Sequence, residues 1–381
     1  MNTSPYTSEF LLVDDLIHLN HAAVAPWPQR TVDAVSRFAQ ENLHRGSWNY
    51  PEWLCTEKTL RQQLALLINA ASPDDIALVK NTSEALSFVA AGIEWRPGDN
   101  IVSSDQEFPS NRIVWESLAP LGVELRQAAL DDADTPEDAL FAMVDEQTRL
   151  IAISSVQYGS GLRIDLGRIG NFCREHGILF CVDAIQSVGA LRFDARACSA
   201  DFVAADGHKW MLGPEGLGFF YVRPEIRDTL KLTQFGWHMV EAVGDFERQE
   251  WQPAHSARRF ECGSPNMLAI HALSASLSLL LEVGMERIES LVLENSRYLL
   301  EYLNRQPGIQ LVTPHGQERY AGIVTFRVKG LDNQVLYHHL HNIGVFCAYR
   351  AGGVRLSPHF YTPMARLEDV TRYITQYTYT I

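Results

Sequence analysis

The chain has 381 residues, which is long enough for one large domain with a smaller one attached. Hydrophobic residues make up 46% of it and charged residues 20%, which favours a folded protein with a large core over a disordered one. Its 32 basic and 46 acidic residues give a formal net charge of −14. Because it also lacks basic runs, we expect no binding to nucleic acid or to an anionic membrane surface.

The N-terminal stretch MNTSPYTSEFLLVDDL has no basic segment and no long apolar run. We therefore expect neither a signal peptide nor a membrane-spanning segment. The six cysteines are scattered, and no two of them form a Cys-x-x-Cys pair. This usage is typical of free thiols in a reducing compartment, so we predict a cytoplasmic protein without a metal site.

Short apolar runs alternate with helical stretches between residues 81 and 222. The runs are NIVSSD (100–105), RLIAISSV (149–156), GILFCVDA (177–184) and ADFVAAD (200–206), and LGRIGNFCREHG (166–177) is a predicted helix. Continuous apolar strands that alternate with helices indicate a mostly parallel β-sheet with helices on both faces. Ligands bind at the carboxyl ends of such strands, so the polar residues that follow them are expected to share one site.

The pattern changes towards the C-terminus. Residues 265–306 have helical periodicity, and GIVTFRV (322–328) and GVFCAYR (344–350) resemble strands on either side of a further helix. These elements predict a smaller α+β domain. The predicted fold class is therefore α/β, with a large domain at residues 16–282 and a small domain formed by residues 283–381 together with 1–15.

Lys209 lies in the stretch VAADGHKWMLGPEGLGFFYV, between His208 and Trp210 and before a glycine-rich turn. Glycines allow the backbone to approach a bound ligand closely. A lysine shielded from water favours its neutral amine, which is a nucleophile able to form a Schiff base. We predict a covalent role for Lys209, with a solvated surface lysine as the alternative.

Asp183 follows the buried run ILFCV, which places it at a strand end in the expected cleft. A carboxylate there is unfavourable unless it meets a cation. A protonated pyridine nitrogen is a suitable cation, and a carboxylate that keeps it charged lets the ring act as an electron sink. Gln186 follows three residues later and is expected to reach the same ring. The alternative for Asp183 is a helix cap.

Thr82 and Ser83 open a predicted helix in the stretch KNTSEALSFVAAG. Free backbone N–H groups and two hydroxyls at the positive end of a helix favour binding of a phosphate. The alternative is ordinary capping of the helix.

These features, in this order along the chain, carry a resemblance to the class V aminotransferases, which are pyridoxal-phosphate enzymes of fold type I. The chain resembles the branch with cysteine desulfurases, cysteine C–S lyases and isopenicillin-N-epimerase-like proteins, from HLNHAAVAPWP to VRLSPHFY. The resemblance implies pyridoxal 5'-phosphate as cofactor, a small amino acid as substrate, and a homodimer with shared active sites.

The resemblance also implies roles for the residues around the cofactor. Lys209 in GHKW corresponds to the lysine that binds the cofactor aldehyde. Asp183 and Gln186 in VDAIQS correspond to the residues beside the pyridine nitrogen and the ring hydroxyl. The phosphate contacts correspond to Thr82, Ser83 and His208.

Further positions match in the same way. Phe108 in SSDQEFPSN stands where relatives place a residue that stacks on the cofactor ring, and Ser264 in RRFECGSPN where a hydroxyl reaches the partner subunit's phosphate. Arg355 in GGVRLSPHFY matches the arginine that binds the substrate carboxylate with its forked guanidinium group. Asn20 and His21 match an N-terminal segment that lines the substrate site.

Two positions depart from the desulfurase pattern. Asp206 replaces a serine, and a carboxylate near a phosphate is unfavourable unless it points away or binds His208. Persulfide-forming desulfurases carry a cysteine on a loop well before the carboxylate-binding arginine. Cys347 instead belongs to the predicted strand GVFCAYR, so we expect a buried residue rather than a sulfur acceptor. A site contact or simple packing stays open for Tyr158, Trp237, His238 and Arg350.

The predicted reaction is a β-elimination that breaks the C–S bond of a small α-amino acid. This is the reaction of a cysteine or cystine lyase, or of a desulfurase-like enzyme without a persulfide cysteine. A class V aminotransferase or an amino-acid epimerase is the alternative, because all of these use Lys209 as a base at Cα and differ only afterwards. A non-catalytic pyridoxal-phosphate-binding protein is a further alternative.

Overall fold

The computed structural model describes Tyr6, residues 8–316 and residues 318–379. The remaining positions of the predicted small domain, residues 1–5, 7, 317, 380 and 381, lie outside the described residues. The first strand is β1 (Ile17–His18). The strands of the central sheet are β2 (Ile76–Val79), β3 (Asn100–Ser104), β4 (Glu124–Ala128), β5 (Thr148–Ser154), β6 (Leu179–Asp183), β7 (Phe202–Asp206) and β8 (Gly218–Val222).

The central sheet has the strand order β2-β8-β7-β6-β5-β3-β4. The five strands from β7 to β4 in this order are parallel, and β8 runs antiparallel to both of its neighbours. Every residue of β2, β3 and β8 is buried, as the continuous apolar runs predict for strands covered on both faces. The mostly parallel sheet is therefore confirmed.

The helices of the described residues are α1 (Gln29–Arg45), α2 (Tyr50–Leu67), α3 (Thr82–Gly92), α4 (Ser110–Glu116), α5 (Pro136–Ala142), α6 (Leu166–His176), α7 (Pro224–Arg227), α8 (Met267–Val283), α9 (Met285–Asn304), α10 (Asn333–Asn342) and α11 (Met364–Tyr379). Along β5, Leu150 and Ala152 belong to one core cluster, while Ile151 and Ile153 belong to another. Successive strand residues point to opposite faces, so the sheet separates two cores. Helices α3 and α4 contribute to the first core, and α6 and α8 to the second.

The helix α6 shows why the local sequence pattern succeeds. Asp165 accepts a hydrogen bond of 3.0 Å from the backbone N–H of Arg168 and caps the start of the helix. Gly177 adopts a positive φ of 66° directly after the last helical residue. Both signals are local, and the observed bounds match the predicted helix closely.

The helix predicted over residues 265–306 is two helices, α8 and α9. They meet at Gly284, whose φ of 85° lies in the region that favours glycine, and their axes differ by 84°. Ile288 and Val292 of α9 thereby turn into the same core as the central sheet.

The small sheet has the order β12-β13-β10-β9 and is antiparallel. Its strands are β9 (Ile309–Leu311), β10 (Val324–Val328), β12 (Ala348–Arg350) and β13 (Gly353–Leu356). Strand β11 (Val345–Phe346) lies outside this sheet. The single strand predicted as GVFCAYR is thus two strands with Cys347 between them, and β11 pairs with β1. The small α+β unit is present, while the division of the chain at residues 282 and 283 stays a prediction.

Among the described residues, no single helix has the length and apolar composition needed to cross a membrane. The bent pair α8 and α9 meets these two criteria only when both helices are taken together.

Candidate active site

The carboxyl ends of β6 and β7 carry Asp183 and Asp206, and Lys209 follows in the turn after β7. These three residues line one cavity of about 220 Å³. The other predicted residues that line it are Thr82, Phe108, Gln186, His208 and Arg355. The expectation that polar residues after the strands share one site therefore agrees with the structure.

Lys209 is only 9% exposed. Its Nζ lies 5.6 Å from the centre of the Phe108 ring, so the predicted stacking residue faces the predicted nucleophile. Burial lowers the pKa of Lys209, and the nearby Arg355 lowers it further, while Asp183 acts in the opposite direction. A larger fraction of neutral, nucleophilic amine at a given pH is the consequence.

The turn that holds Lys209 is tightly closed. Gly207 donates a backbone hydrogen bond of 2.9 Å to Leu217, and Gly213 donates one of 2.8 Å to Gly207. A Cβ atom at Gly218 would lie 2.5 Å from the backbone oxygen of Ala205, so close packing requires a glycine there. This packing fixes the position from which Lys209 enters the cavity.

Asp183 is buried at the end of β6, and its Oδ1 accepts a hydrogen bond of 3.0 Å from the backbone N–H of Ile185. Burial raises the pKa of Asp183, and the neighbouring carboxylate Glu107 raises it further. A cationic ring nitrogen next to Asp183 would stabilise the charged carboxylate. A buried carboxylate at a strand end needs such a cation.

Gln186 has protein partners at both ends of its amide group. Its Nε2 donates to the carbonyl of Ala22 at 3.1 Å, and its Oε1 accepts from Trp210 Nε1 at 2.9 Å. The side chain lines the cavity, but these bonds hold it to the N-terminal segment and to the lysine turn. The predicted contact of Gln186 with a ring hydroxyl stays a prediction.

Helix α3 begins at Thr82, as predicted, but its cap is Asn81. The Asn81 side chain accepts a hydrogen bond of 2.9 Å from the backbone N–H of Glu84. The two predicted hydroxyls are therefore not needed for capping. Thr82 Oγ1 is buried and has no hydrogen-bond partner in the described part of the chain. Ser83 is exposed, and its hydroxyl donates to Ser110 Oγ at 2.9 Å.

Asp206 and His208 lie beside the start of α3. The backbone N–H of Thr82 donates to Asp206 Oδ1 at 3.1 Å, and His208 Nδ1 is 3.8 Å from Asp206 Oδ2. His208 Nδ1 is buried without a hydrogen bond to any described residue. Burial, aided by the charge of Lys209, lowers the pKa of His208 to about 4, so the imidazole is neutral at pH 7.

Arg355 is held in the cavity wall by two oxygen atoms. Its Nη1 donates to the backbone carbonyl of Tyr158 at 2.8 Å and its Nη2 to Asn20 Oδ1 at 3.3 Å. Its Nε is buried and has no partner among residues 8–316 and 318–379. Burial lowers the pKa of Arg355 to about 9, and Arg350, which also lines the cavity, contributes to this shift.

The structure does not bring His21 to the cavity. Its Nδ1 bonds to the carbonyl oxygen of Ser357 at 2.8 Å, and its Nε2 lies 2.6 Å from the Tyr361 hydroxyl. Because a carbonyl oxygen only accepts, Nδ1 carries the proton and Nε2 accepts from Tyr361. His21 is fully buried and connects the N-terminal segment to the residues after β13.

Two further predicted residues lie outside the cavity. Ser264 is exposed and precedes α8, so its hydroxyl does not reach the cavity of its own chain. Cys347 is buried between β11 and β12, and burial raises the pKa of its thiol to about 12. Neither its predicted lack of a sulfur-accepting role nor the predicted role of Ser264 is tested by this geometry.

The donors around the cavity fit the cofactor that the resemblance implies. Pyridoxal 5'-phosphate has an aldehyde for the Lys209 amine, a ring nitrogen for Asp183, and a phosphate for unpartnered donors. Thr82 Oγ1 and His208 Nδ1 are two such buried groups. Buried polar atoms without partners are rare in folded proteins, and a phosphate in this cavity would give both atoms a partner.

Sequence reasoning missed the buried carboxylate of Glu107, next to Phe108. It accepts hydrogen bonds of 2.8 Å from the Ser154 backbone N–H, Gln157 Nε2 and Asn111 Nδ2. This network ties the segment with Phe108 to the end of β5. The only sign of this network in the sequence is the acidic residue Glu107 directly before Phe108.

A second cavity and a cluster of possible metal ligands lie apart from the candidate active site. A larger cavity of about 960 Å³ contains none of the predicted residues, and part of its charged lining is paired, as in the 2.6 Å contact between Arg192 and Glu289. Glu57, His238 and Glu261 lie close enough together to hold a metal ion. The guanidinium group of Arg61 bonds to both carboxylates there and offsets one of their two negative charges.

Comparisons with known proteins show the family of this chain. The family model described as Aminotransferase class-V matches residues 17–368. A probable cysteine desulfurase of Methanothermobacter thermautotrophicus is 32% identical over 87% of this chain and 83% of its own length. A cysteine desulfurase of Shigella flexneri is 30% identical over 93% of this chain and 86% of its own length.

Solved structures share the fold. A cysteine desulfurase from Thermococcus onnurineus matches with a TM-score of 0.88 and 24% identity over 99% of this chain and 98% of its own. A complex of the cystine C–S lyase C-DES with its product cysteine persulfide matches with a TM-score of 0.87 and 23% identity, over 94% of this chain and 97% of its own. These structures confirm the predicted fold, while the family model and the relatives of at least 30% identity confirm the predicted family resemblance.

Proposed function

Because this chain belongs to the class V aminotransferase family, we propose that it is a pyridoxal-phosphate enzyme that breaks the C–S bond of a small α-amino acid by β-elimination. The observation that carries this proposal is the convergence of Lys209, Asp183 and Arg355 on one cavity. Relatives of at least 30% identity named as cysteine desulfurases support a sulfur-containing substrate.

The cofactor supplies an electron sink that stabilises negative charge at the substrate Cα. Lys209 would hold the cofactor aldehyde, and its free amine would take the proton from the substrate Cα. Its burial and its lowered pKa support both roles, since both need a neutral amine. Asp183 keeps the ring nitrogen protonated, which its position at the end of β6 supports.

Arg355 binds the substrate carboxylate. Its two Nη atoms are held by Tyr158 and Asn20, which fixes the plane of the guanidinium group, while its Nε has no partner among the described residues. Its lowered pKa of about 9 still leaves it charged at neutral pH. A fixed, charged and incompletely bonded arginine in a buried wall supports recognition of a carboxylate.

The sulfur leaves with a substrate-derived product and not on a protein thiol. Elimination moves the Cα proton to Lys209 and breaks the C–S bond, whose electron pair stays on sulfur; the sulfur then takes a proton. With cysteine and water the products are hydrogen sulfide, pyruvate and ammonia; with cystine and water they are cysteine persulfide, pyruvate and ammonia. The proposal is supported by the cavity lining, which includes no cysteine of the described chain.

The test is to add cysteine, cystine and alanine separately to the purified holoenzyme and to follow absorbance, pyruvate and alanine. Pyruvate release from cysteine or cystine supports the proposal. Alanine formed from cysteine together with a protein persulfide would instead indicate a persulfide-forming desulfurase. Conversion of the cofactor to its amine form would indicate an aminotransferase, and no response to any amino acid a binding protein.

We also propose that the enzyme is a homodimer in which Ser264 contacts the cofactor phosphate of the partner subunit. Ser264 is exposed, outside the cavity of its own chain. The preceding segment exposes a group of large aromatic side chains, Phe235, Trp237, Phe246 and Trp251. Their rings lie in two pairs, Phe235 with Trp251 and Trp237 with Phe246. Clustered exposed apolar side chains are typical of an interface between proteins, and a two-fold pair would cover them on both chains.

A cytoplasmic location is a further part of the proposal. All six cysteines are free thiols, which a reducing compartment preserves. Cell fractionation with an antibody to the protein tests it, and recovery of the protein outside the cytoplasmic fraction would contradict it.

A further inference from the structure

Asp206 is a largely buried carboxylate beside the start of α3, where the cofactor phosphate is expected. Its Oδ1 accepts a hydrogen bond of 3.1 Å from the backbone N–H of Thr82, the first residue of the helix. The N-terminus of a helix attracts anions because its first N–H groups are free and its dipole is positive there. The Asp206 carboxylate therefore already accepts a hydrogen bond from an N–H group that could bind a phosphate.

Two further polar groups at this place lack partners. Thr82 is 3% exposed, and its Oγ1 makes no hydrogen bond within the described chain. His208 Nδ1 is likewise unpartnered and lies 3.8 Å from Asp206 Oδ2. All three residues line the cavity. They leave unused hydrogen-bonding capacity for a second anion directly beside the Asp206 carboxylate.

Two anions at one helix start repel each other unless a proton separates them. The charged and titratable groups that face Asp206 are Lys209 and His208 from its own turn, Asp183 from β6 and Glu215 before β8. Lys209 favours the ionised carboxylate, whereas Glu215 opposes it. Burial is the largest effect and raises the pKa of Asp206 to about 7 before any phosphate is present.

We propose that Asp206 takes up one proton from solvent when pyridoxal 5'-phosphate binds, and donates it in a hydrogen bond to the phosphate. The proton converts the repelling carboxylate into a donor, and no other bond forms or breaks. Asp206 thereby makes cofactor binding depend on pH. The proposal rests on the cofactor of the proposed function but on no step of the reaction.

The experiment measures binding of pyridoxal 5'-phosphate to the full-length apoenzyme by isothermal titration calorimetry, in buffers with different ionisation enthalpies. The dependence of the measured heat on the buffer gives the number of protons taken up. At about pH 8, where Asp206 is mostly ionised in the apoenzyme, the wild type should take up about one proton more than Asp206→Asn. Above neutrality its affinity should fall about tenfold per pH unit relative to that variant.

The variant is chosen because an amide donates a hydrogen bond to phosphate without titrating. The titration of the phosphate itself is common to both chains. Asp206 raises the pKa of Lys209, so the Lys209 contribution differs between the chains, and pyridoxal, which also reacts with Lys209, measures that difference. Asp206→Ser is the second variant, with a small hydroxyl donor, and should behave as Asp206→Asn does. Circular dichroism and thermal unfolding verify that each chain is folded, and one folded variant suffices for the comparison.

Pyridoxal, which lacks the phosphate, is the matched ligand control. The extra proton should disappear with pyridoxal, because the proposed hydrogen bond has no acceptor. Equal proton uptake by the wild type and the variants would overturn the proposal, as would an equal extra uptake with pyridoxal. Since no amino acid is added, these outcomes are independent of whether the enzyme cleaves C–S bonds.

Discussion

Trp210 Nε1 donates a hydrogen bond of 2.9 Å to Gln186 Oε1. Trp210 directly follows Lys209 and is fully buried, while Gln186 follows Asp183 by three residues. This bond therefore joins the turn that carries the predicted nucleophile to the segment that carries the predicted ring partner. It adds to the pairing of β6 with β7, which already places Asp183 opposite Ala204.

Trp210→Phe removes this donor and leaves Gln186 Oε1 without its partner. We expect a loss of about 1–3 kcal/mol in the free energy of unfolding and a several-fold weaker affinity for the cofactor, because the two segments lose one of the bonds that join them. Thermal unfolding and cofactor titration measure the two effects. Trp95→Phe is the control, since its Nε1 bonds to the Ala90 carbonyl away from the cavity. Equal cofactor affinity in both variants would contradict the positioning role.

Lys209→Ala is expected to abolish the visible absorbance of the lysine-bound cofactor and to lower turnover about 100-fold or more, since it removes both the covalent link and the base. Spectra and steady-state rates measure both effects. Lys231→Ala is the control, because Lys231 is an exposed lysine paired with Glu94. Turnover near the wild-type rate in Lys209→Ala would refute the assignment.

Asp183→Asn keeps the shape of the side chain but removes its charge. Losing a charge-assisted hydrogen bond of roughly 1.5–3 kcal/mol should slow turnover by about one to two decades. Asp201→Asn is a matched control: Asp201 is also buried and bonds to the Phe180 backbone N–H and to Arg223. That change should lower stability and leave the cofactor spectrum unchanged. An unchanged rate in Asp183→Asn would mean that Asp183 serves structure alone.

Cys347→Ala is expected to leave turnover within a few-fold of the wild type. Its thiol is buried, with a pKa raised to about 12, and a thiol that stays protonated is a poor sulfur acceptor. Mass spectrometry after turnover checks for a persulfide. Detection of one on Cys347, together with an inactive alanine variant, would restore the persulfide mechanism.

Mixed dimers test whether Ser264 acts across the interface. Lys209→Ala chains and Ser264→Glu chains are each expected to be inactive alone. In a mixed dimer with shared sites, one of the two sites has both wild-type residues, so activity should partly return. Because Ser264 is exposed, its replacement is expected to leave the fold intact.

The mixed dimers are verified by two different affinity tags before their activity is measured. No recovery in such dimers, or a fully active monomer, would show that each site is built by one chain. Dilution of the wild-type holoenzyme is an independent check, since cofactor loss should follow dissociation if the site is shared.

The local sequence was enough to predict the elements that carry the site. Continuous apolar runs predict four strands of the central sheet, and the run that forms β6 predicts that Asp183 lies at the cleft. Helix α6 was predicted almost to the residue because Asp165 and Gly177 form its ends locally. Such features depend on side-chain periodicity and on backbone conformation within a few residues.

The partners of the site residues could not be predicted in the same way. The bond between Thr82 and Asp206, and the hold of Asn20 on Arg355, join residues far apart in the chain. Similarly, His21 was expected at the substrate, but packing pairs both of its ring nitrogens with residues after β13. No periodicity encodes which side chain a buried donor meets.

The sequence by itself therefore determined the family, the cofactor and the strand ends at which the chemistry takes place, because these depend on local pattern and motif order. Only the tertiary structure decided that Trp210 fixes Gln186, that Arg355 keeps an unpartnered Nε, and that Asp206 takes the first N–H of α3. These outcomes arise when the sheet, its helices and the small sheet pack together, since burial then leaves each polar atom only the partners within reach.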